Sequence, residues 1–195
     1  MNIFFTSDQH FYHSNIISYC NRPFKSMEEM NQVMIRKWNE RVKKEDLVYH
    51  LGDICMKHAP GETPDAPKQA WDIIRPQLNG EVILLLGNHD SRNNVKSILE
   101  SAVINYGGKR IFLIHDPKWA RKEFYWNLCG HCHGNKGRFR KWGEKNEYYH
   151  NDSFIIDIGV DCWNFYPVQI NEINSAFEGW LKHGTSRKYT KPLER

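Results

Sequence analysis

The sequence predicts an α/β fold in which two sheets form a β-sandwich flanked by helices. Short apolar runs typical of strands alternate with helical patterns early in the chain, and the later part is mostly strand-like. Alternation favours a sheet covered by helices, and the later run of strands favours a second sheet. With 195 residues, 40% of them hydrophobic, the chain is long enough for one domain with a sizeable core.

Six apolar runs predict strands, and most of them end just before a polar motif. The continuous run 82–86 is typical of a strand buried on both faces, as in a parallel sheet between helices. In chain order the predicted strands cover 3–5, 47–49, 82–86, 110–114, 126–129 and 154–158.

Helices are predicted from capping signals followed by apolar residues at helical spacing. Ser26, with Glu29 three residues later, has the form of a capping box. The predicted helices cover 27–42, from a first-turn Pro67 to about Leu78, and from the cap Asn171 to about Lys182. Loops are predicted at 57–67 and 134–152. We therefore expect one domain over 1–183 and a basic, loose tail over 184–195.

Composition limits the class of protein. The net charge of +4 and the pI near 8.7 suit an anionic substrate but are too weak to indicate a nucleic-acid-binding face. No apolar run approaches the roughly 20 residues of a membrane span, and the N-terminus lacks the pattern of a secretory signal. Five irregularly spaced cysteines favour reduced thiols. We expect a cytoplasmic protein with no membrane association.

Five short motifs supply carboxylate, amide and imidazole donors, mostly directly after predicted strands. Donors on loops at strand ends are well placed for a rigid site. Side chains at i and i+2 point to one side if the backbone stays extended. Together the five motifs offer enough donors for two adjacent metal ions, an arrangement suited to in-line attack on phosphorus. The motifs are Asp8-Gln9-His10, Gly52-Asp53, Gly87-Asn88-His89-Asp90, His115-Asp116 and Gly130-His131-Cys132-His133.

In order and spacing, the five motifs resemble the D-x-H, G-D, G-N-H-[DE], H and G-H-x-H pattern of the calcineurin-like metallophosphoesterase superfamily. The segments 8–24 and 159–168 further resemble a small bacterial and phage branch of it. The resemblance implies the calcineurin-like metallophosphoesterase fold, a two-sheet β-sandwich flanked by helices, and two divalent metal ions. By that resemblance Asp8, His10 and His133 hold one metal, Asn88, His115 and His131 hold the other, and Asp53 bridges them.

The same resemblance implies the chemistry. It predicts a metal-dependent phosphoric ester hydrolase, in which a metal-bridging hydroxide attacks a phosphomonoester or phosphodiester. His89 matches the catalytic histidine of the family and would donate a proton or a hydrogen bond to the leaving group. Asp90 would orient His89 or stabilise its charge. The mixed donors suit manganese best, with iron, zinc, nickel or cobalt as other candidates.

Four further residues are candidates for binding the substrate. Arg22 has the guanidinium that clamps phosphate, although a structural salt bridge explains it equally well. His13 and Asn15 lie near the first motif, where turn capping is the alternative. Arg138 belongs to the basic aromatic segment 136–142, which would cover a nucleotide or single strand unless it is only a solvated loop. The expected partner is a phosphate ester, with a nucleotide or nucleic acid as candidates, and no obligate protein partner.

Three other functions remain open. A nuclease or a cyclic-nucleotide phosphodiesterase would use the same site. A non-catalytic interaction module would be expected to lose ligands, and the motifs here are complete. Cys129-Gly130-His131-Cys132 also has the spelling of thiol–disulfide oxidoreductases, but the residues after it are poor helix formers, whereas the reactive cysteine of that class commonly begins a helix.

Overall fold

The structure is a computed structural model that describes residues 1–59, 69–141 and 153–183. Within these ranges the strands are β1 (Ile3–Thr6), β2 (Leu47–His50), β3 (Glu81–Leu84), β4 (Ser101–Tyr106), β5 (Lys109–Ile114), β6 (Trp126–Cys129), β7 (Phe139–Lys141), β8 (Phe154–Asp157) and β9 (Val168–Gln169). The α-helices are α1 (Asn15–Tyr19), α2 (Met27–Arg41), α3 (Ala70–Ile74) and α4 (Ile170–His183).

The strands form two mixed sheets. The first has the order β3-β2-β1-β9, in which β1, β2 and β3 are parallel and β9 is antiparallel to β1. The second has the order β4-β5-β6-β8-β7, in which β5, β6 and β8 are parallel and the edge strands are antiparallel. The predicted fold class of two sheets with helices is confirmed.

Adjacent residues of β1 show how the layers pack. Phe4 is buried against the helix side, in a cluster with Met34 and Trp38 of α2. Phe5 is buried in a second cluster that contains Ile111 and Trp126 of the other sheet. Because successive side chains of a strand point to opposite faces, the first sheet lies between a helical layer and the second sheet.

The capping signal of α2 works almost as predicted. The Ser26 side chain accepts a hydrogen bond from the Glu29 backbone N–H at 3.1 Å. The Glu29 carboxylate reaches back to the Lys25 N–H at 2.6 Å, one residue before the cap. The helix ends at Arg41, one residue earlier than predicted.

Several element predictions are corrected. α3 is only five residues long and passes into a 3-10 turn, Arg75–Gln77, so the helix predicted to reach Leu78 is shorter. α4 begins at Ile170, and Asn171 therefore lies inside the helix rather than capping it. The run 82–86 is not buried on both faces throughout, because β3 is an edge strand in which Val82 and Ile83 are only half-buried.

β4 was not predicted at all, although it forms a full hairpin with β5. The turn is Gly107-Gly108, and both glycines have positive φ, 57° and 74°. Two glycines between strand-like segments are a recognised hairpin signal, because this tight turn needs left-handed residues. The sequence therefore held a usable signal for this strand.

Some predictions lie outside the described residues. These are Pro67 as a helix-starting proline, most of the loop 57–67, the later part of the loop 134–152, and the tail 184–195. In the ranges that the structure does describe, no helix is both long and apolar enough to cross a bilayer.

Replacing Trp38 tests the helix-side core. Its side chain is almost fully buried, and its indole N–H donates to the Asn79 carbonyl at 2.9 Å. Trp38→Ala is expected to lower the free energy of unfolding by about 3–5 kcal/mol, measured by urea denaturation. Trp119→Ala is the matched control, since that side chain is 64% exposed and its loss should cost less than about 0.5 kcal/mol. Equal losses would contradict the packing described.

Candidate metal centre

The predicted ligands follow strands of both sheets. Asp8, Asp53 and Asn88 come after β1, β2 and β3 of the first sheet, whereas His115 and His131 come after β5 and β6 of the second. These strands are parallel within each sheet, so their carboxyl ends lie at one edge. The centre therefore lies where the carboxyl ends of the strands of the first sheet meet those of the second.

The structure gathers the ligand atoms into two groups. In each group the atoms lie within 4.8 Å of one another, and the groups are Asp8 with His10 and His133, and Asp53 with His115 and His131. Asn88 Oδ1 joins the second group, 2.9 Å from His131 Nδ1 and 3.0 Å from His115 Nε2. Asp53 Oδ2 also lies 3.7 Å from His10 Nε2. Asp53 therefore stands between the two groups.

Most of these residues have an unusual backbone conformation. Asp8 and His10 have φ of 64° and 52°, so the backbone of this motif does not stay extended. The side chains converge through left-handed turns instead. Asp53, His131 and His133 are also left-handed. Residues other than glycine adopt this conformation at an energetic cost, and such strain concentrates at functional sites.

Two glycines let the loops approach closely. A Cβ at Gly87 would overlap the Asp53 carboxylate, and a Cβ at Gly130 would overlap the side chains of Ser7 and Asp8. The glycines of these motifs are therefore needed for space beside the carboxylates, in addition to their role in turns.

Gly87→Ala tests this packing without removing a ligand. The added methyl group must displace Asp53, so we expect metal binding and any dependent activity to fall by at least about tenfold. Metal content by elemental analysis is the measurement. Gly179→Ala is the control, because a Cβ there meets no atom within 4 Å. Unchanged metal content in Gly87→Ala would contradict the close approach.

Hydrogen bonds orient two of the imidazoles. His115 Nδ1 lies 2.7 Å from the Leu51 carbonyl, which can only accept, so the proton is on Nδ1. His115 Nε2 then faces Asp53 Oδ2 at 3.3 Å. His133 Nδ1 lies 2.9 Å from Asp161 Oδ2 in the same way. Both rings therefore present Nε2 to the centre, as metal-binding histidines do when the other nitrogen is held.

One buried atom indicates that the centre fits a cation. His10 Nε2 is buried and has no hydrogen-bond partner among the described residues. A polar atom left in this state is costly. It points toward the Asp53 carboxylate at 3.7 Å, and a bound cation between the two would satisfy both. The carboxylate, imidazole and amide donors suit a divalent transition metal.

The electrostatics agree with that fit. Burial would lower the pKa of His115, but its hydrogen bond to Asp53 and the charge of Asp8 outweigh burial and raise that pKa to about 9. The pKa of His133 rises to about 11, because its hydrogen bond to Asp161 likewise outweighs burial. The carboxylates that raise these two pKa values create a local negative field that also favours cations.

His89 lies at the open side of the centre. Its imidazole is 46% exposed, and Nε2 is 4.0 Å from Asp53 Oδ2. Its backbone N–H donates to Asp53 Oδ1 at 2.9 Å. Its ring centroid is 5.4 Å from that of His10. The side chain is therefore near the ligands while remaining accessible to a substrate.

Asp90 has a different role from the one predicted. Its carboxylate is fully buried and accepts backbone N–H groups from Asp53 and Gly87, each at 2.7 Å, and from Ile54 at 3.1 Å. These bonds tie the second and third motifs together. Asp90 thus fixes the loops that carry Asp53 and His89 rather than orienting the His89 imidazole.

Comparison with known proteins gives the family. A family model described as the calcineurin-like phosphoesterase superfamily domain matches residues 1–147, about three quarters of the chain. The chain belongs to the calcineurin-like phosphoesterase superfamily. The resemblance inferred from the five motifs is thereby confirmed, and the two-sheet architecture is consistent with the fold of this superfamily.

Similar proteins extend the likeness beyond that segment. An uncharacterized protein of Methanocaldococcus jannaschii is 33% identical over 178 residues, which cover 90% of this chain and 91% of that protein. A solved structure of a protein of unknown function from Aquifex aeolicus is 25% identical, with a TM-score of 0.61, and covers 89% of this chain and 98% of that one. The Gene 66 protein of Mycobacterium phage L5 is 34% identical over 89 residues, 46% of this chain and 40% of that protein.

Arg22 is not placed to bind a phosphate group of the substrate. Its side chain is buried, and its guanidinium donates to both carboxylate oxygens of Asp161 and to the carbonyls of Asp8 and Gln9. The alternative of a structural salt bridge is what the structure shows, and the phosphate-clamp prediction is corrected.

The other three substrate candidates differ in position. The His13 ring lies 5.4 Å from that of His10 and is partly exposed, so it borders the centre. Asn15 is exposed at the start of α1, and its carbonyl accepts from the Ser18 hydroxyl at 3.0 Å. Arg138 donates to the Cys162 carbonyl, and its guanidinium lies 4.1 Å from the Trp163 ring centroid. Only His13 is therefore brought beside the predicted ligands by these contacts.

The basic aromatic segment 136–142 gains no support as a cover for the site. Arg138 is directed toward Trp163, and Arg140 Nη2 lies 3.9 Å from the buried Cys132 thiol. Trp142 lies outside the described residues. Two of the four basic side chains thus serve internal contacts.

Two buried carboxylates near the centre were missed. Asp161 holds His133, and Asp157 accepts from the N–H groups of Gly159 and Gly134 at 2.8 and 3.1 Å. Burial and the nearby Asp8 charge raise the pKa of Asp157 to about 7. The usable signal was an acidic residue at the end of an apolar run, since a buried carboxylate needs specific partners.

A third group of possible ligand atoms, Cys20 with His133 and Asp161, also lies within 4.8 Å. The Arg22 guanidinium already forms a salt bridge with the Asp161 carboxylate, with Nη2 2.9 Å from Oδ2. A cation placed there would meet that positive charge at close range. We therefore assign no metal to this group.

The thiol–disulfide alternative is not supported. Cys129 is fully buried and Cys132 is nearly so, and burial raises the pKa of both thiols. Disulfide exchange requires an accessible thiol with a lowered pKa. The likeness to that motif is therefore limited to the order of the residues.

Proposed function

We propose that this protein is a dinuclear-metal-dependent phosphoesterase. The observation that carries the proposal is the position of Asp53, whose Oδ2 lies within 4.0 Å of His10, His115 and His89. One carboxylate oxygen thus faces both ligand groups and the predicted catalytic histidine. Membership of the calcineurin-like phosphoesterase superfamily supports a metal-dependent reaction at phosphorus.

The seven ligands divide between two ions in this proposal. Asp8, His10 and His133 hold one, Asn88, His115 and His131 hold the other, and Asp53 contacts both. We expect manganese first, with iron, zinc, nickel or cobalt as substitutes. Bound ions of this kind supply Lewis acidity and lower the pKa of a bound water.

The protein's own groups position the reaction. The pKa of Asp53 is held well below its ordinary value because hydrogen bonds and nearby imidazoles outweigh burial, so its carboxylate stays ionised. His89 is fixed through its N–H to Asp53 and keeps its imidazole exposed, which suits a proton donor to the leaving-group oxygen. We propose that His13, beside His10, contacts the substrate.

A second candidate is a nuclease or cyclic-nucleotide phosphodiesterase with the same centre. It is favoured by Tyr19, whose side chain is 70% exposed and whose ring lies 6.3 Å from that of His13. An exposed aromatic ring beside the centre is a surface on which a base can stack.

We also propose a cytoplasmic location, which would keep the free cysteines reduced.

A substrate panel tests the proposal. The substrates are p-nitrophenyl phosphate, bis-p-nitrophenyl phosphate, 2′,3′-cyclic adenosine monophosphate, single-stranded RNA and single-stranded DNA, each with Mn²⁺, Fe²⁺, Zn²⁺, Ni²⁺ or Co²⁺. We expect hydrolysis that needs metal and is restored after chelation by adding metal back. Preference for the cyclic nucleotide or RNA would favour the second candidate. Absence of turnover with every metal, by a protein that binds metal, would favour a non-catalytic role.

A further inference from the structure

Arg22 supports the backbone of the first motif. Its Nη2 donates to the Asp8 carbonyl at 2.7 Å, and its Nη1 donates to the Gln9 carbonyl at 2.8 Å. The Gln9 carbonyl belongs to the peptide that precedes His10. Asp8 and His10 both have left-handed backbone conformations. A buried cation bound to these two carbonyls therefore stabilises a costly turn that carries two predicted ligands.

The same guanidinium supports a third ligand through Asp161. Arg22 Nε and Nη2 donate to Asp161 Oδ1 and Oδ2 at 3.0 and 2.9 Å. Asp161 Oδ2 also accepts from His133 Nδ1 at 2.9 Å. With its proton on Nδ1, His133 presents Nε2 toward Asp8 Oδ1, 4.0 Å away. The two buried side chains thus contact the His133 ring, the Asp8 backbone and the peptide that precedes His10.

Two members of the second ligand group, His115 and Asp53, are oriented by other means. His115 is held by the Leu51 carbonyl, and the loop of Asp53 is held by Asp90. Within the described part of the chain, the hydrogen bonds of Arg22 and Asp161 do not reach Asp53, His115 or His131. The support of the centre is therefore asymmetric.

We propose that Arg22 and Asp161 are positioning residues for one metal only, the ion held by Asp8, His10 and His133. The pair acts by orienting His133 and by holding the turn of the first motif. This inference rests on the proposed two-metal centre. It predicts that the two metal sites can be separated by changing residues that bind neither ion.

Asp161→Asn tests the inference with little change of shape. The amide lacks the charge that pairs with Arg22 and holds His133. Loss of a carboxylate behind a metal-binding histidine typically weakens metal binding 10- to 100-fold. We expect this loss at one site and unchanged affinity at the other, measured by calorimetric titration of the metal-free protein with Mn²⁺ and Zn²⁺ and by elemental analysis at buffered free metal.

Asp46→Asn is the matched control. Asp46 is also a buried carboxylate that accepts backbone N–H groups, from Asn2 at 2.6 Å and Lys43 at 2.9 Å. It precedes β2, whose first residue pairs with the first residue of β1, at the end opposite to the centre. The control should bind both ions with wild-type affinity. Two intact sites in Asp161→Asn, or two equally weakened sites, would overturn the inference.

A measurement on the wild type covers the case in which a variant does not fold. In the zinc-loaded protein, ¹⁵N nuclear magnetic resonance is expected to show His133 protonated at Nδ1 and metal-bound through Nε2. Binding through Nδ1 would overturn the inference, because Asp161 could not then accept that proton. A wild-type protein that binds no metal at all would instead refute the proposed function.

Arg22→Lys keeps the charge but loses the bidentate geometry. This variant should therefore weaken only the site formed by Asp8, His10 and His133.

Discussion

Asp53→Asn is expected to slow metal-dependent hydrolysis strongly and to weaken the binding of both ions. The reason is the shared position of Oδ2, which lies 3.3 Å from His115 Nε2 and 3.7 Å from His10 Nε2. An amide at this position cannot supply a charged oxygen to two cations. Metal stabilisation of the transition state is worth several kcal/mol, so the rate should fall by roughly 10²- to 10⁴-fold.

The conservative amide separates function from folding. Asparagine keeps an oxygen that can accept the His89 N–H, so the fold should persist, as checked by circular dichroism. Metal content and turnover are measured on the same sample. Asp46→Asn, far from the centre, should retain both. If Asp53→Asn held two ions and hydrolysed at the wild-type rate, the bridging assignment would be wrong.

His89→Asn is expected to retain both metal ions and to lower kcat by about 10²- to 10⁴-fold, the usual contribution of a general acid. The side chain is outside both ligand groups and 46% exposed, so its loss should leave the ligands in place. The measurement is kcat together with metal content.

The leaving group gives a sharper test of the role of His89. A p-nitrophenolate leaves readily without a proton, whereas an alkoxide does not. The defect of His89→Asn should therefore be larger for an alkyl diester than for bis-p-nitrophenyl phosphate. An equal defect for both substrates would argue against proton donation, and loss of metal would argue for a role as ligand.

Much of the fold was predictable because it depends on local patterns. The runs that became β1, β2, β5 and β6 are mostly apolar, and each precedes a donor motif. The capping box of Ser26 is likewise a local signal. Element ends were less predictable, because α3 ends in a 3-10 turn that contains Pro76, and burial of β3 depends on its place at the sheet edge.

The candidate site likewise has a part that the sequence predicts and a part that it does not. The donors were visible from five motifs, and the structure gathers all seven of them. The supporting contacts were not visible, since Arg22 and Asp161 are 139 positions apart in the chain. Asp90 lies beside His89 in the sequence, yet its carboxylate accepts N–H groups from Gly87 of its own loop and from Asp53 and Ile54 of another. Adjacency in the chain suggested the wrong partner because a tight turn directs neighbouring side chains apart.

The wide spread of the ligands along the chain has a consequence for synthesis. Asp8 and His10 leave the ribosome long before His133, and Asp161, which orients His133, follows later still. An ion met early by the nascent N-terminal segment therefore finds only a flexible peptide with two donors. Selective loading has to wait until both sheets have paired, since the binding free energy is available only to the finished chain. Metallation of this protein is thus expected to follow translation rather than accompany it.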